Sequence, residues 1–265
     1  MPAKIIALVN EKGGVGKTAT AVNLAAMLAE AGAHAGKKIL LIDVDPQGSA
    51  VKCVGQTTSF AEDGSIAQLL LAEPPGRLPL MEFVQRSEWN GHLDYVPNHY
   101  ESMLVAEQRL TVIHLNPVAV LQKILAPVRN FYDHIIIDSG PSAGVFLWNV
   151  LLVADYAIVP TVPDYVSIEG LPRTMGAMKK IRAEFGRQPQ LMGILPTIYR
   201  KGVEAHEANL KMLHKAFPEK ILPAIPINID VPEAFSRRLP VHRFNPDAPA
   251  TKAYASVTKE VIRRG

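Results

Sequence analysis

The residues with the most chemistry in them are Lys12-Gly13-Gly14-Val15-Gly16-Lys17-Thr18, a short run holding three glycines, two lysines and a threonine. Glycines let backbone N–H groups approach an anion closely, and a helix opening just after them adds positive potential. Lys17 is placed to reach terminal phosphates and the Thr18 hydroxyl to ligate Mg²⁺, while the backbone N–H of Ala19 remains a further phosphate donor. A Gly-rich turn with solvated lysines is the alternative. The usual pattern G-x-x-x-x-G-K-[ST] is not met, because its first glycine falls on Glu11 and a second lysine, Lys12, stands beside the glycine pair. Three carboxylates complete the set. Asp43 and Asp45 end one apolar run and Asp138 ends another. Carboxylates beside a polyphosphate repel it unless a divalent cation lies between them; otherwise they are caps of the following helices.

These residues need elements to position them. The run Ile5-Ile6-Ala7-Leu8-Val9 reads as a buried strand, and Val22, Leu24, Ala25, Leu28 and Ala29 recur at helical spacing after Thr18. Strand–turn–helix around the glycines is the context a phosphate cradle requires. Along the chain, strands are expected at 4–10, 38–43, 93–97, 132–138, 156–162, 190–196 and 221–227. Helices are expected at 17–31, 65–72, 101–110, 117–129, 144–153, 167–185, 203–217 and 250–263. The alternation implies an α/β fold: a mainly parallel twisted sheet with helices on both faces, in one domain over residues 1–265. The Pro- and Gly-rich segments 73–79 and 245–249 read as surface loops. Ligands of open α/β sheets bind at the carboxyl ends of the strands, so the three aspartates are expected to meet near residues 12–18.

Composition narrows the classes. Of 265 residues, 48% are hydrophobic and 20% charged, as in an ordinary globular protein. No apolar stretch reaches the roughly 18 residues that span a bilayer. The chain opens directly on the first expected strand, which predicts no signal peptide and no additional amino-terminal DNA-binding domain, hence no site-specific autorepression. A lone Cys53 excludes an internal disulfide and fits a reducing compartment. The net charge of +3 is uneven: residues 1–133 hold 11 Lys/Arg against 13 Asp/Glu, residues 134–265 hold 17 against 12. That tilt permits polyanion binding without requiring it.

The glycine-rich run resembles the deviant Walker A loop of the ParA/MinD group of P-loop ATPases, and most closely the ParA/Soj partition ATPases. The resemblance continues through Ile39-Leu40-Leu41-Ile42-Asp43-Val44-Asp45-Pro46-Gln47-Gly48, Ile135-Ile136-Ile137-Asp138, Tyr165-Val166-Ser167-Ile168-Glu169-Gly170-Leu171 and Ile225-Pro226-Ile227-Asn228, in the family's order. It implies a slow ATPase using ATP and Mg²⁺ as cofactors. In it Asp45 positions or activates the attacking water, while Asp43 and Asp138 hold the hydrated Mg²⁺ with Thr18 as direct ligand. Lys12 would cross a dimer interface to the partner's nucleotide in an ATP-dependent homodimer. Pro226 and Asn228 would lie near the adenine. A ParB-like activator or cargo adaptor, non-specific DNA and a cytoplasmic, nucleoid-associated location are implied as well. The related nitrogenase iron protein is disfavoured, since it needs two cysteines per subunit.

The pattern is broken in places. Ala19 replaces a usual second threonine, and Ser139-Gly140-Pro141 replaces a turn with two prolines, which should loosen it. Ile227 stands where many ParA/Soj proteins carry an arginine that contributes to DNA contact. DNA binding would then fall to Arg200, Lys201, Arg237, Arg238 and Arg243, or these are ordinary solvated charges. No helix-turn-helix or zinc-finger spacing is present, so any DNA binding should be non-specific. Two other readings compete. A MinD-like membrane-cycling ATPase would need a lipid-binding carboxyl-terminal helix, but the narrow stripe Tyr254, Val257, Val261 and Ile262 suits docking on the core, so no membrane partner is expected. A nucleotide-gated scaffold with incidental hydrolysis is the other.

Overall fold

The computed structural model describes residues 2–55 and 60–265; the side chains of Tyr165, Val166, Ser167 and Glu169, from one of the stretches quoted above, lie outside the described residues. Its strands are β1 (Lys4–Leu8), β2 (Ile39–Asp43), β3 (Gln85–Arg86), β4 (Leu93–Tyr95), β5 (His134–Asp138), β6 (Tyr156–Thr161) and β7 (Gln190–Pro196). Among the described residues they form a seven-stranded sheet in the order β3-β4-β2-β5-β1-β6-β7. Every pairing is parallel except that of the edge strand β3 with β4.

Side chains alternate across a strand, so each strand feeds both faces. Ile5 and Ala7 of β1, Leu40 and Ile42 of β2, and Ile135 and Ile137 of β5 enter one core. That core is covered by α3 (Ile66–Leu71), α4 (Tyr100–Ile113), α5 (Val120–Leu125), α6 (Val145–Val153) and α7 (Tyr165–Phe185). Ile6 and Leu8, Ile39 and Leu41, and Ile136 enter the other. It is covered by α1 (Lys17–Gly32), α2 (Ser49–Val54), α9 (Asp230–Ser236), α10 (Val241–Phe244) and α11 (Pro249–Arg264). The remaining helix, α8 (Glu204–Ala216), is amphipathic and sends Leu213 into the first core. Strands apolar on both sides are what a sheet covered by helices on both faces demands.

Several expected elements differ. The segment 221–227 is no strand; it meets β7 and the loop after it through single bridges, Ile194 to Ile221 and Tyr199 to Pro226, and through the Ile225 N–H donating to Pro196 O (2.8 Å). Pro223 and Pro226 have no N–H to give to a ladder. The expected helix at 117–129 keeps only α5 as α-helix, flanked by 3₁₀ turns at Pro117–Ala119 and Ala126–Val128 where prolines sit. Strand β4 stops at Tyr95 for the same reason, with Pro97 close behind. The short elements β3, α2, α9 and α10 were not expected, because windows of two to seven residues carry little periodicity.

The carboxyl-terminal helix α11 buries Tyr254, Val257 and Val261 in the core, while Ile262 is left exposed. Among the described residues no helix is long and apolar enough to cross a membrane.

Candidate functional site

Strand β1 hands the chain to α1, on one face of the sheet, while the neighbouring β5 hands it to α6 on the other. Loops that part to opposite faces leave a crevice at the carboxyl ends of β1 and β5. Residues 9–16 fill it. Asn10 anchors the loop, its Nδ2 donating to Pro160 O (2.8 Å) and its Oδ1 accepting the Lys12 N–H (2.9 Å). Val15 is fully buried, and its carbonyl accepts the Thr197 hydroxyl (2.9 Å). Gly16 then caps α1 with φ 79° and ψ 25°, a left-handed conformation that a side chain would strain. The backbone N–H groups of the first turn are therefore free of any side-chain cap and point out of the helix end.

Lys17 opens α1 and is 6% exposed. Its ammonium donates to Lys12 O at 2.9 Å, folding the lysine back over the loop. Burial lowers its pKa, opposed by the charges of Asp138 and Asp45. Lys12 lies 3.4 Å from Asp164 Oδ1, an ion pair within the same chain at the start of α7.

Strand register brings the expected carboxylates together. Asp43 and Asp138 are direct neighbours on β2 and β5, and Leu8 of β1 is the next residue across. Both carboxylates are fully buried. Asp43 accepts the N–H groups of Asp45 (3.0 Å) and Ala50 (2.8 Å). Neither oxygen of Asp138 has a hydrogen-bond partner of normal geometry, although the Thr18 hydroxyl and the Ser139 N–H face it. Burial pushes Asp138 up to about 7, the Asp45 charge adding to it and Thr18, Lys17 and Ser139 opposing it. Burial, then the charges of Asp138 and Asp45, holds Asp43 well above the usual carboxylate range. Two buried carboxyls side by side repel each other when ionised, an arrangement that a cation between or beside them relieves. Asp45 is only partly buried and sits on the following loop, where Gly140 passes so closely that a Cβ there would stand 3.4 Å from Asp45 Cγ. Gly140 of the Ser139-Gly140-Pro141 turn thus lies against Asp45.

Among the described residues, no group of three or more His, Cys, Asp or Glu could hold a metal alone. A cation here would take the Thr18 hydroxyl, ligand oxygens and water, with the aspartates outside, which is the habit of Mg²⁺.

Beside the loop lies a cavity of about 410 Å³ lined by Gly16, Ala19, Thr197, Ile198, Pro226, Asn228 and Tyr254, among others. The expected pair Pro226 and Asn228 is therefore brought to the loop's end. The walls are mostly apolar, and Asn228 Oδ1 is buried without a hydrogen-bond partner. That combination suits a flat heterocycle carrying an N–H donor.

The five expected DNA-contacting bases are engaged differently. Arg200 and Lys201 are exposed in the loop after β7. Arg243 pairs with Glu30 at 2.8 Å, 13 residues along α1 from Lys17 and hence about 20 Å from the loop. Arg237 lies over the Phe244 ring at 5.2 Å from its centroid, and the Arg238 carbonyl accepts the Trp89 indole N–H at 3.0 Å. Ile227 and Ile229 are 49% and 67% exposed, an apolar rim where the family likeness leads one to expect charge.

Sequence reasoning overlooked Asn10, Asn98, Asp164 and Thr197. Only Asn10, just before the glycines, carried a local signal; the others come from distant strand ends.

The family model described as "AAA domain" matches residues 3–191. The chain is 30% identical over 268 residues to the chromosome-partitioning ATPase Soj of Treponema pallidum, covering 98% of each chain. It is also 30% identical over 270 residues to the chromosome partitioning protein ParA of Caulobacter vibrioides, covering 99% of this chain and 95% of that one. Among solved structures, an ATP complex of a Cyanothece McdA variant superposes with a TM-score of 0.83 at 20% identity, covering 98% of this chain and 96% of the other. That likeness concerns the fold, while the full-length identities carry the kinship. With a deviant phosphate loop at the β1–α1 junction and full-length likeness to Soj and ParA, this chain belongs to the AAA-domain family, in its ParA/Soj group of P-loop ATPases.

Proposed function

We propose that the protein is a partition-type ATPase that hydrolyses ATP slowly with Mg²⁺, dimerises on ATP and binds non-specific DNA until a partner protein stimulates hydrolysis. The observation that carries this reading is the juxtaposition of the fully buried Asp138 carboxylate, Lys17 and the uncapped helix terminus at one end of the sheet. The Cyanothece McdA variant of the same fold holds ATP. In the proposal, the N–H groups of residues 13–19 and the Lys17 ammonium bind the phosphates. Thr18 would ligate Mg²⁺, with Asp43 and Asp138 holding its water shell. A bound Mg²⁺ would neutralise phosphate charge, which otherwise opposes attack. Asp45, partly exposed on its loop, orients the attacking water. Pro226 packs on the adenine and Asn228 Oδ1 accepts from its amino group.

Lys12 is the residue that would cross to a second copy's nucleotide. To reach that position it would leave Asp164, a half-exposed pair of the kind worth about 1 kcal/mol or less. Cations supplied in trans to a transferring phosphoryl group are worth roughly 10³–10⁵ in rate in related chemistry. With Ile227 in place of arginine, DNA contact would rest on Arg200, Lys201, Arg237, Arg238 and Arg243. The protein would work in the cytoplasm on the nucleoid, positioning a plasmid, chromosome or protein cargo through a ParB-like activator or adaptor. The docked α11 does not favour a membrane-cycling mode.

The test is binding to random-sequence duplex DNA with ATP, ADP or no nucleotide at two salt concentrations, alongside phosphate release. Binding confined to the ATP state and steeply weakened by salt is expected. Hydrolysis without DNA binding in any state would reject the DNA limb and move the scaffold reading ahead.

A further inference from the structure

Asp45 sits on a loop, and a residue that orients water must be held to within a fraction of an ångström. Its own side chain helps little, since Oδ1 accepts the Gln47 N–H (3.0 Å) and, among the described residues, it makes no hydrogen bond to another element. The backbone before it is held on the β5 side by the Val44 N–H, which donates to Asp138 O (3.1 Å), and on the other side by the segment that follows β4. Strand β4 runs beside β2 only as far as the Leu41–Tyr95 pair, with one more ladder bond from Val96 N to Leu41 O. The next N–H on this side of the strand is that of Asn98, since Pro97 faces the other way, and among the described residues it makes no bond to the Asp43 carbonyl. The Asn98 side chain does what its backbone does not. Asn98 Nδ2 donates to Asp43 O (3.0 Å) and to Asp45 O (2.9 Å). Both partners are carbonyls, so the amide nitrogen must face them whichever way the amide is written. Asn98 is 1% exposed, and its Oδ1 is buried without a partner. A buried amide kept at that cost is fixed by what its nitrogen holds.

Gly48 closes the clamp. Its φ is 60°, its N–H donates to Asp45 O at 2.9 Å, and a Cβ on it would stand 3.0 Å from Asn98 Oδ1 and Cγ. Directly after Asn98, His99 caps α4 by accepting the Ser102 N–H, so the amide is carried on a helix terminus packed into the core.

We propose that Asn98 is a positioning residue for hydrolysis: its side-chain amide takes over where the β4–β2 ladder ends and sets the Asp43–Asp45 backbone, and through it the Asp45 carboxylate. The inference rests on the reading of Asp45 given above. Asn98 touches neither nucleotide nor water in this scheme.

The experiment compares the parent, Asn98→Ala, Asn98→Ser, Gly48→Ala and the Asn98→Ala/Gly48→Ala double variant. ATP affinity and binding stoichiometry are measured by fluorescent-nucleotide titration, and kcat by phosphate release at saturating ATP. Asn98→Ala should keep full stoichiometry and an affinity within threefold, while kcat falls about 10- to 100-fold, in the manner of a misplaced catalytic group. Asn98→Ser, which retains a hydroxyl donor, should recover part of that loss. Gly48→Ala, which drives a methyl into the amide, should lower kcat in the same way. The double variant should lose no more than about the larger single loss, because both act through one contact. Unchanged kcat with intact binding in Asn98→Ala overturns the proposal. So does a kcat loss matched by an equal loss of binding stoichiometry, the mark of a protein that has merely partly unfolded. Should Asn98→Ala not fold, the kcat-against-affinity split in Gly48→Ala and Asn98→Ser decides in the same terms. A parent that binds ATP but never hydrolyses it refutes the ATPase reading itself, a separate outcome visible before any variant is made.

Discussion

The nucleotide-free protein carries an electrostatic burden that Asp138→Asn should expose. Asp138 is fully buried, and its pKa is pushed from 3.8 to about 7, burial being the largest cause. Below pH 3.8 both folded and unfolded chains hold this proton. Between there and about 7 the unfolded chain ionises while the folded one stays protonated, so the folded state binds more protons and stability falls as pH rises. About two pH units of that window lie between pH 5 and pH 8, and at about 1.36 kcal/mol per unit the site loses roughly 2–3 kcal/mol. An amide of nearly the same volume does not titrate. It also removes the charge that raises Asp43, an effect of the same sign. The variant should therefore gain on the parent by roughly 2–3 kcal/mol from pH 5 to pH 8, or about 5–10 °C in Tm for a chain of this size. Urea denaturation at both pH values, with chelator and no nucleotide, measures it. The absolute difference at either pH also contains the cost of burying an amide N–H, so the change in difference is the quantity to read. A difference that stays constant, or moves toward the parent as pH rises, would show that Asp138 does not carry the burden assigned to it.

Four further outcomes follow from the same geometry. Lys17→Ala removes the one buried ammonium facing Asp138 and Asp45; ATP affinity should fall about 10- to 100-fold by titration, the worth of a charge-assisted contact. Lys12→Ala should bind ATP with near-parental affinity yet stay monomeric in light scattering, and a variant that still dimerises removes the cross-subunit role. Asp45→Ala should accumulate an ATP-bound dimer with phosphate release lowered at least 100-fold, whereas turnover at the parental rate would take water activation away from this residue. Leu41→Ala, at a fully buried central-strand position, should cost about 2–5 kcal/mol in urea denaturation, with nucleotide affinity unchanged once the fraction unfolded is corrected for.

The phosphate loop was legible because it is local. Strand, glycines, lysine and helix follow one another within about 25 residues, and each step has a sequence cue that physical chemistry reads directly. The same holds for the alternation of β and α that makes the sheet parallel and doubly covered. That Asp43 and Asp138 stand side by side was expected from their places at strand ends, but their neighbourhood depends on β5 inserting between β1 and β2, a pairing across about 95 residues. Tertiary structure alone decided the rest. The bonds of the Asn98 side chain to Asp43 O and Asp45 O exist because the segment after β4 passes beside the end of β2. The pairing of Lys12 with Asp164 joins residues 152 apart. Of the five basic residues read off the sequence, Arg243 is tied to Glu30 near the far end of α1 while Arg200 and Lys201 lie in the loop after β7. Local chain stiffness and periodicity are written in neighbouring residues. Contacts between strand ends, and the side chains that complete them, depend on how the whole sheet is assembled.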